Sequence, residues 1–192
     1  AAAEFPREPD LLIALGNVLD LVGKLDEARE AFSWAVEVDS RGVLQRYNLG
    51  AVLERLGSES EAEECYRQAQ ITSEGTAMLE AHGALGALLR RQGRLEEASE
   101  IYEAYLTEDP LHVEMLVEHG ICLSDLDRLD TALDRFDLAL SLEPGHPGAH
   151  YNRAITLYRR GLYRESVEGM RDALACDPDN PLTLAVLGSW LL

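Results

Sequence analysis

The chain has 192 residues, 46% of them hydrophobic, with 35 acidic against 17 basic side chains and a formal net charge of −18. Such an acidic chain excludes a nucleic-acid partner, since a phosphate backbone is bound through a basic face. With no uninterrupted apolar run of about 18 residues, no membrane span is expected either. Every basic residue except Lys24 is arginine, which points to a GC-rich genome or a salt-adapted, bacterial-like cytoplasm. The acidity reads first as solvation by self-repulsion and second as a complement to a basic partner. Cys65, Cys122 and Cys176 follow no CxxC or metal spacing, so they read as reduced, core-filling thiols of a cytoplasmic protein. The chain does not begin with Met, which leaves export open.

Residues 1–8 read as a tail, either a cloning scar or the end of a preceding repeat. The first periodic segment follows. Leu12, Leu15, Gly16 and Leu19 fall at i, i+3, i+4 and i+7, one face of a helix. Gly23-Lys24 interrupts it. Asp26 then opens a second helix on which Ala28, Phe32 and Ala35 share a face. The same two-helix unit returns down the chain. Gly16 is followed in register by Gly50, Gly86, Gly120, Ala154 and Gly188, at spacings of 34, 36, 34, 34 and 34. Ala28, Ala62, Ala98, Ala132 and Ser166 keep step, as do Phe32, Tyr66, Tyr102, Phe136 and Met170. Leu19, Leu53, Leu89, Leu123, Leu157 and Leu191 form a further column. The turn glycine returns as Gly57, Gly93 and Gly161, with Asp127 in the fourth unit, and Pro110, Pro144 and Pro178 end the later units. The units run 9–42, 43–76, 79–112, 113–146 and 147–180, with an insertion at 77–78 and a last helix over 181–192. The glycine or alanine of the first helix is expected to face the alanine of the second. The Phe/Tyr column is expected to fill the wedge between neighbouring hairpins. One hairpin alone cannot bury its face, so stacking supplies the core.

These columns resemble the tetratricopeptide repeat family over residues 9–192. The resemblance implies an all-α, right-handed superhelical solenoid of five antiparallel hairpins plus a final helix, forming a single domain. The match has departures. The family's aromatic near the start of the first helix is Leu12, Arg46, His82, Leu116 and His150 here. The second unit ends in Thr72-Ser73-Glu74-Gly75-Thr76 without proline, so that junction is expected to bend differently. Leu182, Leu184, Val186, Leu187, Trp190, Leu191 and Leu192 make the last helix apolar nearly all round. A terminal cap should carry a polar outer face. Further repeats, or packing on another chain with self-association through this helix, are therefore expected.

No chemistry-bearing motif stands out. Six residues lie between Gly16 and Gly23-Lys24, where a phosphate loop has four, and Leu25 follows the lysine in place of Ser/Thr. There is no GxSxG and no HExxH. Pro147 separates His146 from His150, so the two do not share a helix face for a metal. Neither a catalytic residue nor a cofactor or metal is expected. Arg153 stands in a column that is leucine at 15, 49, 85 and 187, and it reads as an aliphatic stem with its head at the surface. Glu61, Glu63, Glu64, Glu96 and Glu97 suit the positive ends of their helices.

The expected function is a protein-interaction scaffold that takes a protein or peptide on the inner wall formed by the first helices. The stripe at i, i+3, i+7 and i+10 puts Glu114, Val117, Ile121, Tyr151, Ile155 and Tyr158 on that wall, beside Glu118 and Asn152. Tyr47 and Asn48 take equivalent places in the second unit. An apolar anchor with basic flanks is the partner such a surface suits. The resemblance adds a negative. The clamp some members use for a C-terminal carboxylate would fall on Ile13, Asn17, Asn48, Glu80 and Ala84, where every cation is missing. The asparagine ladder of O-linked N-acetylglucosamine transferases is also broken, at Ala14, Ala84 and Glu118. The alternative reading is a recruiting or regulatory segment of a larger enzyme, such as a glycosyltransferase, whose catalytic domain lies elsewhere.

Overall fold

The computed structural model describes residues 8–71 and 76–191. Among them are eleven α-helices and no strand. The chain divides into two compact units, one up to Leu88 and one from Leu89, each described by itself below. The first holds α1 (Pro9–Leu21), α2 (Leu25–Val38), α3 (Val43–Arg55), α4 (Glu59–Ile71) and most of α5 (Thr76–Arg91). The second holds α6 (Leu95–Glu108), α7 (Val113–Asp125), α8 (Leu129–Leu142), α9 (Pro147–Arg159), α10 (Tyr163–Cys176) and α11 (Pro181–Trp190). The tail at 1–7 and the proline-free junction at 72–75 lie outside the described residues. The inserted pair 77–78 is absorbed as extra helix. α5 runs for 16 residues, against 13 for α1, α3, α7 and α9.

Each hairpin turns on the expected break. Gly23, Gly57, Gly93 and Gly161 have φ between 76 and 85°, and Asp127 has φ 61°. In each case the left-handed residue donates its N–H three residues back, and the next residue reaches the carbonyl five back. In the first unit these bonds are Gly23 N–H to the Asp20 oxygen (3.0 Å) and Lys24 N–H to the Leu19 oxygen (2.9 Å). This double closure satisfies two of the carbonyls that a helix end leaves without partners. The carbonyl at the far end of the second bond always belongs to the leucine column: Leu19, Leu53, Leu89, Leu123 and Leu157.

Within a hairpin the glycine column meets the ring, not the alanine as the columns alone suggested. A Cβ added at Gly16 would lie 2.5 Å from the Phe32 ring, and at Gly50 or Gly120 it would lie 2.7 Å from Tyr66 or Phe136. The aromatic residue therefore seats in its own hairpin's notch. Phe32 also belongs to a buried cluster with Ala28 and Val52, so the same ring reaches the next hairpin. Phe32, Tyr66, Tyr102 and Phe136 are all at most 2% exposed, each contributing roughly 2–3 kcal/mol of burial. In the fifth hairpin the column changes sides. Ala154 stands where glycine did, and a Cβ on Gly169 would touch the Ala154 Cβ at 3.4 Å.

Candidate functional site

The wall residues of the first unit come from α3. Tyr47 is half-buried, its ring tilted 41° against that of Tyr66 at 6.0 Å. Burial, then the Glu80 and Glu54 carboxylates, push its hydroxyl above the usual tyrosine range. The Tyr66 hydroxyl donates to Glu54 at 3.2 Å. Asn48 is half-buried on the same helix.

The other eight residues lie on α7 and α9 of the second unit. Ile121, Asn152 and Ile155 line a pocket of about 60 Å³ together with Ser124, Asp125, Phe136, Thr156 and Arg159. Asn152 is held by donating from Nδ2 to the Gly148 carbonyl at 2.8 Å. Tyr151 lines a separate pocket of about 140 Å³ with Gly148, Leu182 and Thr183. Tyr158 is 41% exposed, but its ring stacks on Trp190 of α11 at 4.6 Å and 4° and meets the edge of Tyr163 at 5.0 Å. Glu114 is exposed at the start of α7. Glu118 is half-buried, and burial raises its carboxyl against the opposing pull of Arg90. Val117 is a correction to the expected wall. It is 5% exposed and belongs to the core, because the neighbouring helices close over its position.

The spacing of about 34 residues has an electrostatic counterpart. Arg55 pairs with Asp20 and Arg90 with Asp125 (3.1 Å), each pair 35 residues apart. Arg159 donates to the Ser124 carbonyl at 2.6 Å, again 35 apart. These bonds tie the C-terminal ends of first helices in neighbouring hairpins. Exposed pairs of this kind are worth at most about 1 kcal/mol, so they set register more than stability. Arg153 reaches Asp137 at 2.5 Å at the helix surface.

Two features were not legible as sites. One is a groove of about 420 Å³ in the first unit, floored by Leu49 and Leu53 and walled by Val36, Arg46, Glu64 and Cys65. Nothing in the repeat pattern marks the space between α2 and α4. The other is His119, 3% exposed, with Nε2 3.0 Å from Ser99 Oγ. Burial first, then Arg135 and Arg128, hold its imidazole down to about 4. Burial pushes the Cys65 and Cys122 thiols up to about 11.

Glu114, Glu143 and His146 gather ligand atoms within 4.8 Å of one another. His146 caps α9, its Nδ1 accepting from Ala149 N–H at 3.1 Å. The ring proton then sits on Nε2, which makes that nitrogen a donor to carboxylates rather than a metal ligand.

Models described as tetratricopeptide repeat match residues 13–77 and 117–181 and residues 79–122. The chain is 33% identical over 102 residues to tetratricopeptide repeat protein 7A of Homo sapiens, covering 53% of this chain and 12% of that protein. It is 27% identical over 185 residues to the protein O-mannosyl-transferase TMTC1 of Homo sapiens, covering 94% of this chain and 21% of that one. A solved structure of YrrB, a TPR protein with an unusual peptide-binding site, superposes with a TM-score of 0.70 at 23% identity. That match covers 94% of this chain and 92% of the other. The chain spans about half or less of the length of the curated relatives it matches.

Proposed function

The chain belongs to the tetratricopeptide repeat family, and from that premise we propose that it is a protein-interaction scaffold holding a peptide on the α7–α9 wall. The observation that carries this reading is the convergence of Ile121, Asn152 and Ile155 on one pocket. It joins an apolar seat to an amide oriented by its own helix, the combination that fixes an extended chain in place. Glu114 and Glu118 on α7 give the same helix a negative face, which suits basic residues flanking an apolar anchor. The tyrosines supply large contact area at low entropic cost.

The test is affinity capture from the native organism with the wild-type chain and with Ile121→Ser and Tyr151→Ala variants, whose folding is checked by circular dichroism. Capture should weaken in both variants, and retention should fall as salt rises from low to moderate concentration. Equal capture by folded variants would remove this wall as the binding surface. A second reading is favoured by the likeness to a glycosyltransferase across nearly the whole chain. On it, the repeats recruit substrates for a catalytic domain in the same polypeptide. A complete coding sequence with such a domain would select it.

A further inference from the structure

The groove of about 420 Å³ in the first unit lies apart from the proposed wall. α2 and α4 form its sides, and Leu49 and Leu53 of α3 form its floor. Each of these helices already has its hairpin partner in place. The volume falls within the roughly 300–1,000 Å³ of small-molecule sites. Arg29 and Val36 mark its two ends on α2, about 10 Å from each other along the helix.

The repeat explains why polar groups are left over here. The positions of Arg29 and Ser33 return as Glu63 and Arg67, as Ser99 and Glu103, and as Leu133 and Asp137. In those three hairpins the polar side chains find partners. Arg67 pairs with Glu63 at 2.7 Å, Ser99 meets His119 at 3.0 Å, and Asp137 takes Arg153 at 2.5 Å. His119 and Arg153 stand where α3 has Leu49. A leucine side chain offers neither donor nor acceptor. Ser33 accordingly makes no hydrogen bond among the described residues, and Arg29 reaches only Asp26 of its own helix, at 3.5 Å. Across the groove, Glu61 of α4 takes no hydrogen bond or ion pair among the described residues.

We propose that this groove binds a small zwitterion with an apolar body, of the class of a free apolar α-amino acid. Its carboxylate takes Arg29, its ammonium takes Glu61, and its side chain lies on Leu49 and Leu53. Arg29 and Glu61 line the one cavity from opposite sides without pairing with each other. Both stand near the starts of α2 and α4, which run the same way because each is antiparallel to α3, so the two charges share one end of the groove. The far end offers no second anchor. Arg46 there donates to the Gly42 carbonyl and to Gln68, at 3.2 Å each, and Gln68 in turn donates to Glu64 at 2.6 Å. A neutral apolar ligand leaves both Arg29 and Glu61 unanswered, and a ligand with one charge answers one of them.

The probe is L-phenylalanine, titrated into the isotope-labelled full chain and followed by backbone amide shifts. Saturable shifts are expected at Ser33, Leu49, Leu53 and Cys65. Phenethylamine and hydrocinnamate keep the ring and one charge each, and each should bind about fivefold or more weakly. Glu61→Gln and Arg29→Gln should each weaken L-phenylalanine by a similar factor. Neither residue belongs to the core, so the rest of the spectrum should keep its wild-type positions and report that both variants are folded. Four results would each overturn the assignment: no saturable shift, shifts centred on α7 and α9 instead, equal affinity for either one-charge analogue, or unchanged affinity of either folded variant.

Discussion

Acidifying the solution should destabilise the second unit through a single imidazole. His119 is 3% exposed, and burial, then Arg135 and Arg128, hold its proton affinity down to about 4. In the unfolded chain it titrates near 6.5. The unfolded state therefore takes up the proton first as pH falls. The contribution is complete above pH 6.5, is lost progressively between 6.5 and about 4, and changes little below that. Two and a half units at 1.36 kcal/mol each give a loss of about 3 kcal/mol. His119→Leu places in this column the residue that stands at 15, 49 and 85. It deprives Ser99 Oγ of its partner, at about 1 kcal/mol independent of pH. Denaturant unfolding of both proteins at pH 7.5, 6, 5 and 4.5, followed by circular dichroism, isolates the histidine, since the carboxylates titrate in both. Their stability difference should shift by about 2.5 kcal/mol in favour of the leucine variant between pH 7.5 and 4.5, the range stopping short of the full loss. Parallel curves would refute the reasoning.

Gly120→Ala should cost about 1–3 kcal/mol despite its gain in helix propensity, because the new Cβ would lie 2.7 Å from the Phe136 ring. A chemical melt of the variant checks this. Asp127→Gly should stabilise by roughly 0.5–1 kcal/mol, since Asp127 holds φ 61°, where a Cβ is strained. The long, exposed ion pair from Asp127 to Arg159 (3.4 Å) offsets little of that. In a thiol titration with Ellman's reagent at pH 8, exposed Cys176 should react fast. Cys65 and Cys122, whose thiols sit near 11, should lag by well over tenfold, because the thiolate is the reacting form.

The hairpins were legible because a solenoid repeats its constraints at fixed spacing. Each turn needs a left-handed residue, each helix pair needs a notch, and each ring needs a seat. Gly23, Gly57, Gly93 and Gly161 announced the turns without any knowledge of the third dimension. What faces what inside a hairpin was read less well. The columns put Ala28 opposite Gly16, but two antiparallel helices joined at residue 24 pair positions equidistant from that turn. Gly16 and Phe32 satisfy that rule and are the pair in contact. Repetition along a sequence reports which positions are equivalent, and only the fold-back reports which are neighbours.

The wall was harder still, for a related reason. A stripe on one helix is a statement about direction, whereas exposure depends on how far the neighbouring helix leans over it. Ile121 and Ile155 stay half-exposed beside Asn152, while Val117, one turn earlier on α7, is covered. The column that holds Leu15, Leu49 and Leu85 turns polar in the second unit, as His119 and Arg153. There the two side chains find Ser99 and Asp137, each from an adjacent helix. A buried polar side chain with one specific partner costs more to misplace than a leucine does. His119 therefore ties α6 to α7 in fixed register, while the exposed Arg153–Asp137 pair links α8 to α9 at the surface. On the proposed scaffold role, that register matters more than extra stability. The same burial that fixes the contact with Ser99 makes His119 sensitive to acid.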